Sequence, residues 1–352
     1  MNLIVNNIDI LEIIIITFLV SLFLVPIAKK SASHVGAMDL PNERKIHSKP
    51  MPRMGGLAIY FSFLVGYILY GEITTQMLSI LIGSFIIILL GIFDDIKPIP
   101  AKIKFLVQII AALIVVIYGQ IYFNEISFLG LHLKFSLYTS YILSTIFIVA
   151  ITNAINLIDG MDGLSSGISS IYFATIAIIA IIFNRIGGLD IVLCLIMLGS
   201  TLGFLVWNFP PAKIFMGDSG SLFLGFMISI ISLLGFKVAT LTSLVIPVII
   251  LAIPIFDTVL AIFRRILKGE SIGEPDKEHF HHQLLKMKFT TKTSLVIIYS
   301  VNIMFSVISI FYAMGNIREA IIIYVILMIL LLFVILKTNI LYEHKDKNKK
   351  AK

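Results

Sequence analysis

The sequence predicts an all-α polytopic integral membrane protein of eleven transmembrane helices, with its N-terminus outside and its C-terminus in the cytosol. Three observations predict it. Of the 352 residues, 59% are hydrophobic and only 13% charged, against an apolar share of about 45 to 50% in ordinary soluble domains. Apolar runs close to the length of a bilayer core recur along the whole chain. The basic residues are sorted between alternate loops, as the positive-inside rule requires.

The apolar runs are 8–27, 56–70, 77–93, 105–118, 137–151, 164–183, 191–207, 221–235, 241–263, 294–314 and 320–336. Several fall short of the roughly 20 residues a span needs, and these are expected to extend into flanking residues. The first run is followed by Lys29 and Lys30, with neither a basic region before it nor a small-residue cleavage site after it, so it reads as an anchor rather than a removable signal. An outside start then leaves only Lys134, Arg185, Lys237 and Arg318 in outer loops, with every other Lys and Arg of the 27 inside or at inner helix ends. This reading gives one transmembrane catalytic domain, 1–340, with cytosolic loops 29–53, 94–104, 152–163, 208–220 and 264–292. A basic cytosolic tail, 341–352, completes it. In the outer loop 121–135, the alternation of Leu131, His132, Leu133, Lys134 and Phe135 after Leu129-Gly130 suggests a small β-hairpin.

A nucleic-acid binder and a cysteine-built site drop out. The net charge of +7 is explained by topology, and no soluble basic domain exists to grip a nucleic acid. Cys194 is the single cysteine and lies within a span, so there is no disulfide framework or cysteine metal site. No internal repeat of the kind common in secondary transporters is visible.

The polar residues carry the functional signal. Asp94, Asp95, Asp159, Asp162, Asp218 and Asp257 all fall at inner helix ends, on the side that also receives His279, His281 and His282. Ionisable groups at membrane depth are costly and usually serve a site. In NAINLIDGMDGLSSG, Asn153, Asn156, Asp159 and Asp162 can hydrogen-bond a base edge or sugar hydroxyls. An acidic cap on the following helix is an equal alternative for the motif alone, yet a cap uses one Asp and neither Asn. In GIFDDIKPIPAKIK, the adjacent Asp94 and Asp95 repel unless a cation neutralises them. Either a divalent metal or a nearby lysine such as Lys104 does so, whereas the lysines alone read as ordinary interfacial residues. In NFPPAKIFMGDSGSL, Asp218 lies between Gly217 and Gly220 at a helix start, where it can cap, favour an anion or offer a hard oxygen to Mg²⁺. Phe215 reads either as an interfacial aromatic or as a stacking surface for a base. In PDKEHFHHQLL, the histidine spacings do not match the i, i+4 pair of a helical zinc site. Phosphate binding or proton transfer is the better functional reading, against a solvated amphipathic helix.

Taken together, KIHSKPMPRMGG (45–56), GIFDD, NAINLIDGMDGL, NFPPAKIFMGDSGSL and PDKEHFHHQLL resemble, in that order along nearly the whole chain, the polyprenyl-phosphate N-acetylhexosamine-1-phosphate transferases. PDKEHFHH with the preceding FRRILKGESI is similar to the WecA and TagO branch rather than the MraY branch. The resemblance implies transfer of N-acetylglucosamine 1-phosphate from UDP-N-acetylglucosamine to undecaprenyl phosphate, releasing UMP, on the cytosolic face of the plasma membrane. That would be the first membrane step of a cell-envelope glycopolymer, the teichoic acid linkage unit or a similar polysaccharide. Mg²⁺ is the implied cofactor, with Mn²⁺ as a substitute, and a homodimer is compatible with it. By matching motifs, Asp218 would bind the metal, and Asp94 and Asp95 would activate or position the lipid phosphate. Asn156, Asp159, Asp162, Asn208 and Phe215 would line the nucleotide pocket, with Asn153 and Gly217 also among the substrate-binding residues. Lys104, His279, His281 and His282 would contact phosphates or sugar. Arg53 lies in a loop where relatives differ, which leaves its role open. The alternatives are the same chemistry on another UDP-N-acetylhexosamine or, from a different class, a secondary transporter.

Overall fold

Backbone amides inside a bilayer must be satisfied within their own segment, so apolar runs of this length fold as helices. The computed structural model describes residues 4–5, 8–40, 50–128, 131–183, 188–238, 245–269 and 279–337. In chain order, β1 (Ile4–Val5) pairs with β2 (Ile8–Asp9) ahead of α1 (Ile10–Val35). β3 (Met38–Asp39) then pairs antiparallel with β4 (Met51–Pro52). Next come α2 (Gly56–Tyr70), α3 (Thr75–Ile96) and α4 (Ala101–Leu113), the last ending in a π-helical turn over Ile114–Tyr118. β5 (Glu125–Phe128) and β6 (Leu131–Lys134) form an antiparallel pair with Glu125 opposite Lys134. The helices α5 (Leu137–Leu157), α6 (Leu164–Ile182), α7 (Leu189–Asn208) and α8 (Gly217–Val238) follow. The last group is α9 (Val245–Ile250), α10 (Ala252–Lys268), α11 (Phe280–Lys286), α12 (Thr291–Ala313) and α13 (Ile317–Lys337).

Among the described residues, α1, α3, α4 with its π turn, α5, α6, α7, α8 and α12 are long and apolar enough to cross a bilayer, and α2 is a shorter apolar helix. The chain is therefore an all-α, multi-pass membrane protein. Short polar caps begin several of these helices: Thr74, Ser136 and Thr290 accept the amides of Met77, Thr139 and Thr293 at 3.1, 3.3 and 3.2 Å. The expected hairpin is present as the pair β5 and β6, and its Leu129-Gly130 turn lies outside the described residues, as does the tail 341–352.

The helices outrun the apolar runs that announce them. α1 continues through Pro26 to Val35, and α3 carries Asp94 and Asp95 on its last turns. α5 carries Asn153 and Asn156, while α8 begins at Gly217, one residue before Asp218. Helical hydrogen bonding requires no apolar side chain, so a polar residue facing a site does not end a helix. The ninth run, expected as one span over 241–263, is broken at Leu251. The Leu251 amide closes α9 on the Pro247 carbonyl at 2.9 Å, and its own carbonyl takes the Ile255 amide at 3.0 Å to start α10. Pro254 sits in the first turn of α10, where its missing N–H breaks no helical bond.

The centre of the bundle is α8, which is almost wholly buried and is packed by α2, α3, α5, α6 and α7. Its N-terminal turn is approached very closely: a Cβ on Gly56 of α2 or on Gly91 of α3 would lie 2.1 or 2.3 Å from the backbone of Gly220 or Ser219. Small residues let neighbouring backbones meet in this way. As a result, the helix that bears Asp218 is fixed from two sides.

Candidate active site

Three polypeptide segments converge on the start of α8. The strand-like stretch before α2 runs parallel to the segment before α8: the Phe215 amide donates to the Pro52 carbonyl at 2.9 Å, and the Gly55 and Gly56 amides donate to the carbonyls of Phe215 and Met216, each at 3.0 Å. The C-terminal end of α3 brings Asp95, whose two oxygens accept the amides of Asp218 at 2.8 Å and Ser219 at 3.1 Å. Gly217 makes this possible. Its φ of +74° is the left-handed conformation that glycine tolerates, and a Cβ there would stand 2.4 Å from Asp95 Oδ2.

The two adjacent acids therefore divide their work. The Asp95 side chain is 0% exposed, spent on the positive end of α8. Those α8 amides are accordingly not available to a phosphate, the alternative that the sequence left open. The Asp94 side chain is 8% and that of Asp218 18% exposed, and both turn an oxygen to the ammonium of Lys104, at 3.3 and 3.0 Å. The other oxygen of Asp94 accepts the Ile99 amide at 2.7 Å, which holds the Pro-containing link between α3 and α4. Lys104 itself projects from the first turn of α4.

Arg53 completes the cluster. Its guanidinium lies 3.3 Å from Asp95, 3.6 Å from Asp39 and 3.9 Å from Asp218. Burial alone would lower its pKa, but Asp95, Asp218, Asp39 and Asp94 together raise it, so this cation is permanent. In the sequence only its place in the KIHSKPMPRMGG stretch points to Arg53, and nothing points to Asp39. The β3–β4 pairing brings these two together across residues that are distant in sequence.

The DGMDG segment forms the next wall. Asn156 donates to Ser221 Oγ at 2.8 Å, and Ser221 donates in turn to the Gly217 carbonyl at 3.0 Å, which ties α5 to the Asp218 turn. Asp159 lies in the loop beyond α5. Burial, then the charges of Asp218 and Asp95, push its pKa well above the usual carboxylate range. Asp162 accepts the Ala212 amide at 2.9 Å. Asn208 accepts the Gly163 amide at 3.0 Å and the Ser166 hydroxyl at 2.9 Å, and donates to the Ile214 carbonyl at 3.0 Å. Asn153 is engaged with Gln108 of α4, at 2.5 Å, and with the Val149 carbonyl, at 2.7 Å. In this structure Asn153 and Asn208 thus brace the walls of the site. Phe215 is half-buried, one turn of chain from Asp218 and paired through its backbone with Arg53.

The histidines meet the same wall from the other side. His281 is 2% exposed, and a Cβ on Gly160 would stand 2.5 Å from its Nε2. Burial, then His282 and His279, lower its pKa well below the ordinary histidine value, which keeps it neutral.

Helix ends, two cations and a set of carboxylates at one end of an apolar bundle describe an integral membrane protein with a site for anionic ligands. Comparison with known proteins specifies the class. A model of glycosyl transferase family 4 matches residues 77–236. A probable undecaprenyl-phosphate N-acetylglucosaminyl 1-phosphate transferase of Bacillus subtilis is 45% identical over 337 residues, covering 94% of this chain and 93% of its own. A decaprenyl-phosphate N-acetylglucosaminephosphotransferase of Mycolicibacterium smegmatis is 31% identical, covering 76% and 73%. An undecaprenyl-phosphate alpha-N-acetylglucosaminyl 1-phosphate transferase of Escherichia coli is 29% identical, covering 85% and 81%. The chain belongs to glycosyl transferase family 4, among its polyprenyl-phosphate N-acetylglucosamine-1-phosphate transferases.

Proposed function

We propose that the protein transfers N-acetylglucosamine 1-phosphate from UDP-N-acetylglucosamine to undecaprenyl phosphate at the cytosolic face of the plasma membrane. The observation that carries this reading is the Lys104 ammonium between Asp94 and Asp218, with Arg53 behind them, at helix ends of a membrane bundle. One substrate is a soluble anion and the other a lipid whose phosphate lies in the headgroup layer, so their common site belongs at such an end. The names of the relatives agree with both substrates. A secondary transporter would share the broken helix at Leu251, but family membership decides for the transferase.

In the reaction, an oxygen of the lipid phosphate attacks the β-phosphorus of the nucleotide sugar. A new P–O–P bond forms, the bond from that phosphorus to the α–β bridging oxygen breaks, and UMP leaves with the oxygen. Two anions must approach, so catalysis here is mostly charge neutralisation and alignment. A phosphate monoester has its second pKa near ~6 and is largely dianionic at neutral pH, so no strong base is required. Asp94 then positions the acceptor through Lys104, Asp95 holds the start of α8, and Lys104 and Arg53 offset the charge of the phosphates. Asp159, Asp162, Asn156 and Phe215 border the nucleotide, and the histidines border the sugar and its phosphate.

The same residues fit a divalent cation. Asp94 and Asp218 already direct hard carboxylate oxygens at one cation position, held by the Lys104 amine. Two carboxylates suit Mg²⁺, an ion that takes one or two of them and completes its shell with water and substrate phosphate. Asp218 and Asp94 would hold Mg²⁺ or Mn²⁺, which would supply positive charge to the phosphate oxygens.

Purified protein given UDP-N-acetylglucosamine, undecaprenyl phosphate and Mg²⁺ is expected to release UMP, and Asp218→Ala to abolish release while the protein stays folded. UMP release that survives Asp218→Ala would overturn the assignment. Competition among UDP-N-acetylhexosamines in the same assay identifies the sugar.

A further inference from the structure

Asp257 has no role in the reaction as derived above, yet it is buried on α10 at 5% exposure. Both of its oxygens are committed to the histidine segment. Oδ1 accepts the Phe280 amide at 3.0 Å, and Oδ2 lies 2.9 Å from His279 Nδ1. His279 is the N-cap residue of α11, and its own side chain makes no capping bond. The cap is supplied instead by a carboxylate from another helix, 22 residues back in sequence. One group therefore starts α11 and orients the first histidine of the cluster.

The orientation propagates. The rings of His279 and His281 lie parallel within 3°, centroids 5.8 Å apart, and His282 lies 4.1 Å from His281. His281 Nε2 is buried without a hydrogen-bond partner and abuts Gly160 of the DGMDG loop, where any larger residue would collide with it. A carboxylate on Nδ1 selects the tautomer in which Nδ1 carries the proton. Nε2 of a neutral His279 is then an acceptor, and becomes a second donor only on protonation.

We propose that Asp257 is the positioning residue of the histidine cluster, holding His279 with Nδ1 protonated and setting the cluster against the Asp159–Gly160 wall of the site. It acts through His279 and does not touch substrate. The inference rests on the transferase reading for the identity of the reaction, but the tautomer of His279 does not.

The test compares wild type, Asp257→Asn, His279→Gln and the double variant, as full-length protein in detergent with ¹⁵N-labelled histidine. Asparagine keeps the shape and one acceptor for the Phe280 amide but cannot accept from both partners. In Asp257→Asn, the His279 nitrogen shifts are expected to move from the Nδ1–H to the Nε2–H pattern. The kcat for UMP release is expected to fall roughly 10- to 100-fold, the range seen where a carboxylate that orients a metal-bound histidine is lost, with KM for the lipid acceptor changed less than twofold. In the double variant the loss should equal that of His279→Gln alone. An unchanged tautomer in Asp257→Asn, or additive losses in the double variant, would overturn the proposal. A tautomer shift in a protein whose wild type releases no UMP would sustain the proposal and instead refute the transferase reading. Should Asp257→Asn fail to fold, Asp257→Glu carries the same test: retained Nδ1–H with reduced kcat supports positioning, and wild-type kcat with a lost Nδ1–H refutes it.

Discussion

The division between Asp94 and Asp95 yields a prediction that two adjacent, chemically identical residues cannot satisfy by accident. Asp95→Asn is the perturbation. Asp95 accepts two backbone amides of α8, at 2.8 and 3.1 Å, and pairs with Arg53 at 3.3 Å, with its side chain fully buried. An asparagine has one acceptor oxygen and so leaves one of the two amides unsatisfied, at a cost of about 1–3 kcal/mol. It also removes the negative charge at the helix N-terminus, worth up to ~2 kcal/mol in partly buried geometry. The expected loss is therefore roughly 1–5 kcal/mol, which at about 2–4 °C per kcal/mol for a large domain is a fall in Tm of several degrees. Asp94→Asn keeps an acceptor for Ile99 and loses its charge toward Lys104, whose side chain is 25% exposed and retains Asp218 as its shorter partner, so the loss is about 1 kcal/mol. Its Tm should stay within about 2 °C of wild type while kcat falls at least tenfold. The assay is thermal unfolding in detergent without substrate, beside UMP release at saturating substrates. If Asp94→Asn destabilised the protein as much as Asp95→Asn, or if Asp95→Asn left Tm unchanged, the assignment of separate tasks would be refuted.

Other expectations follow from single contacts. Gly217→Ala places a Cβ against Asp95 at a φ of +74°, costing about 1–2 kcal/mol in backbone strain alone, and should lower both Tm and kcat. A Tm equal to wild type would refute the close approach. Asp159 has a raised folded pKa, so the folded state favours its neutral form. Its stabilising contribution is present below the unfolded value near ~3.9 and is lost as pH rises through the folded value. Asp159→Asn should therefore raise stability at neutral pH and flatten the pH dependence of Tm above pH 4, and a steeper dependence would contradict the burial described. Mg²⁺ should raise the Tm of the wild type without substrate and leave Asp218→Ala unmoved; equal shifts would remove Asp218 from the cation site. In direct displacement, ³²P-labelled donor without lipid acceptor leaves no label on the protein, whereas a phosphosugar recovered on an aspartate would establish a two-step route.

Hydropathy made the helical architecture legible because the cost of an unsatisfied amide in lipid leaves a chain few options. It misplaced the ends of α3, α5 and α8, because polar residues that face a site read as loop while their backbones remain helical. The break at Leu251 was hidden inside an unbroken apolar run, where Pro247 and Pro254 were the only cues. The acids and histidines were legible as a set, since each sits at the same end of alternate spans. Their partners were not. That Asp95 serves α8, that Arg53 meets Asp39, and that Asn208 binds a loop rather than facing outward depend on contacts between segments far apart in sequence. A linear pattern can show that two carboxylates are neighbours; only the relative placement of helices shows one spent on the start of α8 and the other turned to Lys104.

Lys104, held between two acids, means that the resting enzyme supplies its own counter-ion. A divalent ion of the kind proposed above would therefore not meet bare negative charge; it would take the place of a cation already there, one positive charge exchanged for another. The ammonium so released would stay tethered to the first turn of α4, within reach of an incoming phosphate.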